Sequence, residues 1–193
     1  FVQRLAQAPA VLLAGRARAL ALRGTAGSDR LRIAGAVARS LGLGVIATDG
    51  PPLDERANRT LGPLCSMVGA VPVIAYDLGP GETAQPPELA AYDGPVIVLL
   101  GLEGGLHGKL AEASLTLRVP PLKAEQRLRC WQAALGAPSP DLPVIAERFH
   151  LPDGHIRRAA ATASAYAALD GRSAVALPDV QEACRALNRQ LLD

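Results

Sequence analysis

The chain has 193 residues, enough for one ordinary domain or for a larger domain with a small companion. Apolar residues make up 49% and charged residues 20%, which excludes a disordered chain, and aromatics at 3% leave the core to Ala, Leu, Val and Ile. A formal charge of +2, carried mostly by scattered arginines, gives no basic track for nucleic acid, and no apolar run reaches the ~18 residues of a membrane span.

The N-terminal run "FVQRLAQAPAVLLAGRARAL" lacks the charge, long apolar run and cleavage site of a signal peptide. It opens on Phe1 rather than Met, as expected of a piece of a longer protein. Ala19–Arg23 is the first strand candidate. Ile33, Val37 and Leu41 then recur at helix spacing, and Gly42 and Gly44 stop that helix. Strands are predicted over Gly44–Thr48, Val71–Tyr76 and Pro95–Leu100, with a short helix over Thr60–Gly69. "VPVIAY" and "PVIVLL" are nearly all apolar, as strands buried on both faces require, although Pro72 weakens the first pairings of its strand. "SLTLRV", Ser114–Val119, alternates and reads as a strand near an edge. Five strands with helical crossovers make an α/β domain with a mainly parallel sheet.

After Pro121 no strand pattern remains. Lys123–Leu135 carries Leu128, Trp131 and Leu135 at helix spacing. Ser139, Pro140 and Asp141 form a helix start ahead of "LPVIAERF". A long Ala-rich helix follows in "LPDGHIRRAAATASAYAAL", and "LPDVQEACRALNRQLL" forms the last. The expected organisation is an α/β core over 1–136 and a small all-helical domain over 137–193. The Pro- and Gly-rich stretches "DGPPLDERANR" and "DLGPGETAQPPE" follow strands, so they belong at the sheet's carboxyl edge, where open α/β sheets place ligands.

The loop after the first strand occupies the register of a phosphate-binding G-x-x-x-x-G-K-[ST] loop. Gly24, Thr25, Ala26, Gly27, Ser28, Asp29, Arg30 and Leu31 fill the eight positions in turn. Gly24 fits the template. Asp29 stands for the second Gly, Arg30 for Lys, and Leu31 for the Ser/Thr that would hold Mg²⁺. A carboxylate here repels phosphate: two like charges ~4 Å apart interact by roughly 4 kcal/mol at an effective dielectric of 20. The Arg fork does not replace a compact ammonium, and Leu31 has no oxygen for a metal. Asp77, ending the strand "VPVIAY", stands where a Mg²⁺-directing carboxylate belongs, but Leu78 follows it in place of a water-activating Glu. The alternative is that Asp77 opens a turn with Gly79, Pro80 and Gly81. Glu103 reads as a turn carboxylate and Arg157 with Arg158 as a solvated helix face, with Arg157 facing a crevice between the domains as the alternative. His107, His150 and His155 lack metal spacing, and Ser28 and Ser66 lack a nucleophile setting. Cys65, Cys130 and Cys184 are far apart with no C-x-x-C pair, so they read as buried free thiols in a reducing, cytoplasmic setting.

The order of these parts resembles an AAA+ ATPase module. The most specific pieces are "VPPLKAEQRLRCWQAALG" and the helical tail, where Ile145, Ala146, Phe149, Leu151, Gly154, Ile156, Ala159 or Ala160, Ala163, Val175, Asp179 and Ala183 fall on the family's lid pattern. The resemblance implies a Walker A loop at Gly24–Leu31, a Walker B Asp at Asp77 and a sensor position near Leu102 or Glu103, with only Lys109 ahead of the last strand where an arginine finger is expected. Every catalytic element departs together. The expectation is therefore a degenerate module of a longer bacterial AAA+ protein, with no catalytic residue and no metal site, which does not hydrolyse ATP. It would serve subunit packing, ring assembly or regulation of an active module. Its partners would be its own longer chain or AAA+ neighbours, as a possible homo-oligomer. ATP or ADP with Mg²⁺ would bind only if the loop still works. The alternatives are a divergent ATPase using Arg30 in place of Lys, or an unrelated α/β domain for an anion or a protein.

Overall fold

The computed structural model describes residues 1–48, 55–136 and 141–192, with the backbone alone for 190–192. The chain divides into two units, one of residues 1–25 and 30–120, the other of 26–29 and 121–193.

The first unit contains helix α1 (Val2–Leu13), strand β1 (Ala19–Arg23), α2 (Arg30–Ser40), β2 (Gly44–Thr48), α3 (Glu55–Val68), β3 (Ala70–Tyr76), β4 (Thr83–Ala84), β5 (Val96–Leu100), β6 (Gly105–Leu106), α4 (Lys109–Glu112) and β7 (Ser114–Arg118). Five strands form one parallel sheet in the order β2-β3-β5-β1-β7. The two-residue strands β4 and β6 pair with each other. β1, β3 and β5 lie inside the sheet and are almost wholly buried, whereas β2 and β7 at the edges are only partly so. That explains why "VIVLL" is continuously apolar and "SLTLR" alternates.

The two-residue period of a strand sends alternate side chains to opposite faces. Leu20, Leu22, Val71, Val73, Ile97 and Leu99 pack on one face with Ala8 and Leu12 of α1 and Ala34, Val37 and Ala38 of α2. Ala19, Ala21, Ile74, Tyr76, Val96, Val98 and Leu100 pack on the other, with Leu89, Tyr92 and Leu106 beside them. α1 and the β4–β6 pair are absent from the sequence-based expectations, the pair because two-residue strands carry no periodic signal. α3 starts at Glu55, ahead of the expected Thr60.

The second unit contains α5 (Ala124–Leu135), α6 (Leu142–Arg148), α7 (Asp153–Leu169) and α8 (Leu177–Leu192). α5 packs against α6 and α7, so this unit starts at Pro121, upstream of the break expected near residue 137. The expected helix start at Ser139 and Pro140 lies outside the described residues. Asp141 precedes α6, and its carboxylate accepts from the Leu177 N–H at 3.2 Å, which ties α6 to α8. Trp131 is fully buried at the centre, with Ile145, Ile156, Ala159, Ala160, Ala163, Val180 and Leu187 around it. Its ring lies 6.4 Å from that of Phe149 in a tilted pair. Arg172 grips Asp179 through two nitrogens, at 2.7 and 2.8 Å, and the Ala176 N–H donates to the same carboxylate at 2.8 Å. The guanidinium and the N–H hold Asp179 below the usual carboxylate range, and they fix the turn into α8.

Trp131 is the single Trp of the chain, so its fluorescence reports on the helical unit. Trp131→Ala is expected to cost this unit about 3–5 kcal/mol, read as a lower urea midpoint in far-UV circular dichroism.

Candidate functional site

The loops after β1, β3 and β5 all leave the carboxyl edge of the sheet. Three residues flanking or within the β1–α2 loop close onto the end of β5 and the segment after it. The Gly24 N–H donates to the Leu100 carbonyl at 3.1 Å. The Arg30 guanidinium donates to that same carbonyl. Arg23 donates to the Gly104 carbonyl at 3.0 Å and to Glu103 at 3.4 Å. Arg30, at the position of the phosphate-binding Lys, is thus turned onto the protein's own backbone. Burial pushes its guanidinium down from the usual range and the charge of Asp77 opposes that shift, but an Arg stays cationic.

Asp77 is exposed beyond the end of β3. The neighbouring turn is built by others: the Glu82 N–H donates to Gly79 O at 3.2 Å, and the Glu82 carboxylate accepts the Gly79 N–H at 2.7 Å. Leu31 is 47% exposed and offers no oxygen. Thr25 and Ser28 each have a polar partner within the protein.

The loop tip, Ala26–Asp29, belongs to the helical unit. Gly27 adopts φ +73°, a conformation that favours glycine. A Cβ there would lie 2.2 Å from the His155 ring, and a Cβ on Gly154 would lie 2.5 Å from the Gly27 carbonyl oxygen. The two backbones touch because neither residue has a side chain: the Gly154 N–H donates to Gly27 O at 3.0 Å. Asp153, at the start of α7, accepts the Asp29 N–H at 3.0 Å and the Gly154 N–H at 3.1 Å through one carboxylate oxygen. The Asp29 carboxylate forms an ion pair with Arg157, one turn along α7.

Burial and the charge of Asp29 raise Asp153 above the usual carboxylate range, against the pull of the two N–H groups and Arg157. Burial, helped by Arg158, lowers His155 below the usual histidine range, which favours the neutral ring where it packs against Gly27. Burial and the Asp153 charge push the nearby Cys130 thiol up, which favours an inert thiol.

The structure thus brings Gly27, Asp29 and Arg157 together with Asp153, Gly154 and His155. Arg157 pairs with a loop carboxylate and is not the solvated cation of the sequence reading. Asp153, His155 and Arg23 were not singled out as site residues. Asp29 and Asp153 are separated by 124 positions, and no local pattern signals their contact. Among the described residues, no group of three or more His, Cys, Asp and Glu could hold a metal ion, and no helix is long and apolar enough to cross a membrane.

A nucleotide phosphate needs free loop N–H groups, a cation aimed at it and a hydroxyl for Mg²⁺. Here the Asp29 N–H is taken by a carboxylate, Arg30 faces Leu100 O and Leu31 carries no hydroxyl. The residues present do not fit nucleotide with Mg²⁺ in this arrangement.

The β2-β3-β5-β1-β7 parallel sheet, with a loop–helix after β1 and a following helical unit, has the fold of an AAA+ core with its helical lid. Residues 123–190 match the family model of the contractile injection system ATPase helical domain. A point mutant of Thermotoga maritima RuvB matches with TM-score 0.66 at 15% identity, over 96% of this chain and 69% of that one. A second point mutant of the same protein matches with TM-score 0.64 at 15% identity, over 96% of this chain and 68% of that one. A structure described as the Thermotoga maritima RuvB Holliday junction branch migration motor matches with TM-score 0.58 at 14% identity, over 96% of this chain and 69% of that one. At such identities the likeness concerns the fold. A search of curated proteins found no match.

Gly154→Ala is expected to push the loop tip off α7 and to cost about 1–3 kcal/mol, measured by urea unfolding through Trp131 fluorescence. The raised Asp153 binds its proton more tightly in the folded than in the unfolded chain, so its contribution to stability falls as pH rises out of the carboxylate range. Asp153→Asn keeps an oxygen for the Asp29 N–H and has no proton to lose. Its stability should therefore gain on that of the wild type as pH rises above about 4, the ordinary Asp value, in unfolding curves at stepped pH.

Proposed function

We propose that this chain is a non-hydrolysing AAA+ module of a contractile injection system ATPase, acting in the cytoplasm. It serves subunit packing, ring assembly or regulation of an active AAA+ module, in its own longer chain or in a neighbour. The match of residues 123–190 to the injection-system helical domain supports the family assignment.

The observation that carries the reading is the internal use of the loop. Asp153 takes the N–H of Asp29, Arg157 pairs with the Asp29 carboxylate, and Arg30 donates to Leu100 O. An entering phosphate would have to displace one carboxylate and meet another. Nothing remains at Leu31 to hold Mg²⁺, and Leu78 supplies no base to water. The module keeps the shape of its family and uses it for packing.

The test is a titration with labelled ATP and ADP, with and without Mg²⁺, beside Arg30→Ala. No binding up to about millimolar nucleotide is expected, in either protein. Tight Mg²⁺-dependent binding that Arg30→Ala abolishes would overturn the reading and establish a divergent nucleotide site built on Arg30 and Asp77.

A further inference from the structure

We propose that the helical unit carries a docking groove for an acidic peptide segment, formed by α8 and the end of α6. The groove encloses about 250 Å³. Its polar lining is Arg148, His150, Gln181, Arg185 and Asn188, and its apolar lining is Phe149, Leu151 and Cys184. Residues 181, 184, 185 and 188 recur at three- and four-residue steps, so they share one face of α8. Residues 148–151 are the last residue of α6 and the segment after it.

Two features separate this groove from an ordinary solvated surface. The first is its charge. Two arginines line it, and among the described residues no carboxylate does. The second is that the cations are unspent. Arg127 donates to Leu122 O and Ala146 O, Arg157 pairs with Asp29, and Arg172 pairs with Asp170 and Asp179. Arg148 and Arg185 make no hydrogen bond or ion pair with any described residue. Arg148 lies instead over the Phe149 ring, 6.0 Å from its centroid, which holds the guanidinium at the groove. The negative end of α6 does not offset this charge, because Phe149 N–H and Arg127 already take the carbonyls of Ile145 and Ala146.

A guanidinium fork matches a carboxylate, and Gln181 and Asn188 can donate to the same anion. The apolar residues suit a large aliphatic side chain beside that carboxylate. Nucleic acid asks for something else: a run of cations spaced along a backbone. The formal charge of +2, spread over the chain, provides none. The occupant that fits is a protein segment in which Asp or Glu alternates with Leu or Ile. The inference stands apart from the nucleotide loop and uses none of its residues.

The experiment uses the 193-residue chain, labelled with ¹⁵N. It is titrated with a short peptide alternating glutamate and leucine, with its glutamine–leucine counterpart, and with an oligothymidylate of equal charge. Arg148 and Arg185 are exposed, so Arg185→Glu should keep the wild-type circular dichroism spectrum. The expected result is a set of amide shifts confined to 148–151 and 181–188 with the acidic peptide. Affinity should fall about tenfold in Arg185→Glu and fall further with added salt. The glutamine peptide should leave these amides unmoved. Absence of shifts at millimolar acidic peptide would overturn the proposal. So would equal shifts with the glutamine peptide, insensitivity to Arg185→Glu, or tighter binding of the oligothymidylate at these amides.

Discussion

Two partly buried carboxylates held near one another are costly, and this molecule holds Asp29 and Asp153 that way. Their mutual repulsion is of the order of 4 kcal/mol at ~4 Å and an effective dielectric of 20. Three attractions oppose it. The N–H groups of Asp29 and Gly154 both donate to Asp153, and Arg157 pairs with Asp29. Hydrogen bonds to a charged group contribute roughly 1.5–3 kcal/mol each, so two of them and one ion pair are enough to balance the cost. The proton affinity of Asp153 records the balance: burial and Asp29 push it up, and the donors pull it back. The loop tip and the start of α7 depend on this closure, because the glycine contact beneath it consists of a single backbone hydrogen bond and bare van der Waals contact.

That closure gives the glycines a role distinct from phosphate binding. In a phosphate loop, glycines let backbone N–H groups approach the ligand. Gly27 lets the backbone approach Gly154 and His155 instead. A change at either glycine would be felt as a packing defect before any ligand is present. Gly24 and Arg30 act likewise at the other end of the loop, where both donate to Leu100 O and fasten the loop to the central strands. A loop fastened at both ends by such internal contacts can keep its backbone plan without a ligand.

The fold was largely legible because its signals are local. "VIVLL" and "VPVIAY" are continuously apolar, and in the structure they lie inside the sheet. The edge reading of "SLTLR" follows from its alternation, and the structure places it last in the sheet. The helical tail was legible from the stripe Val180, Ala183, Cys184 and Leu187, all of which are buried. What escaped was set by tertiary contact. α1 has Pro9 inside it and no helix-start signal, and these outweigh an amphipathic pattern that its packing with Ala8 and Leu12 in the core makes plain. α5 shows helix periodicity but nothing to say which unit it joins, and Trp131 decides that by filling the helical core. At the site, the eight loop positions were readable by register and Asp77 by its strand. The partners of Asp29 were not, since a hydrogen bond across 124 residues leaves no trace in spacing.

The same geometry bears on competition at the loop. A carboxylate on the protein's own backbone is present at an effective concentration of at least about millimolar, without the translational cost that a free ligand bears. A nucleotide at similar concentration would have to replace Asp153 at the Asp29 N–H and then face the Asp29 carboxylate. Asp29 in turn is tied to Arg157, so moving it would leave a half-buried guanidinium without its anion. A phosphate could gain Arg157 only by separating it from Asp29. The net exchange trades one anion for another and adds a repulsion. On the proposed reading the loop is therefore closed by substitution of one anion for another, and Arg157 fastens the substitute in place.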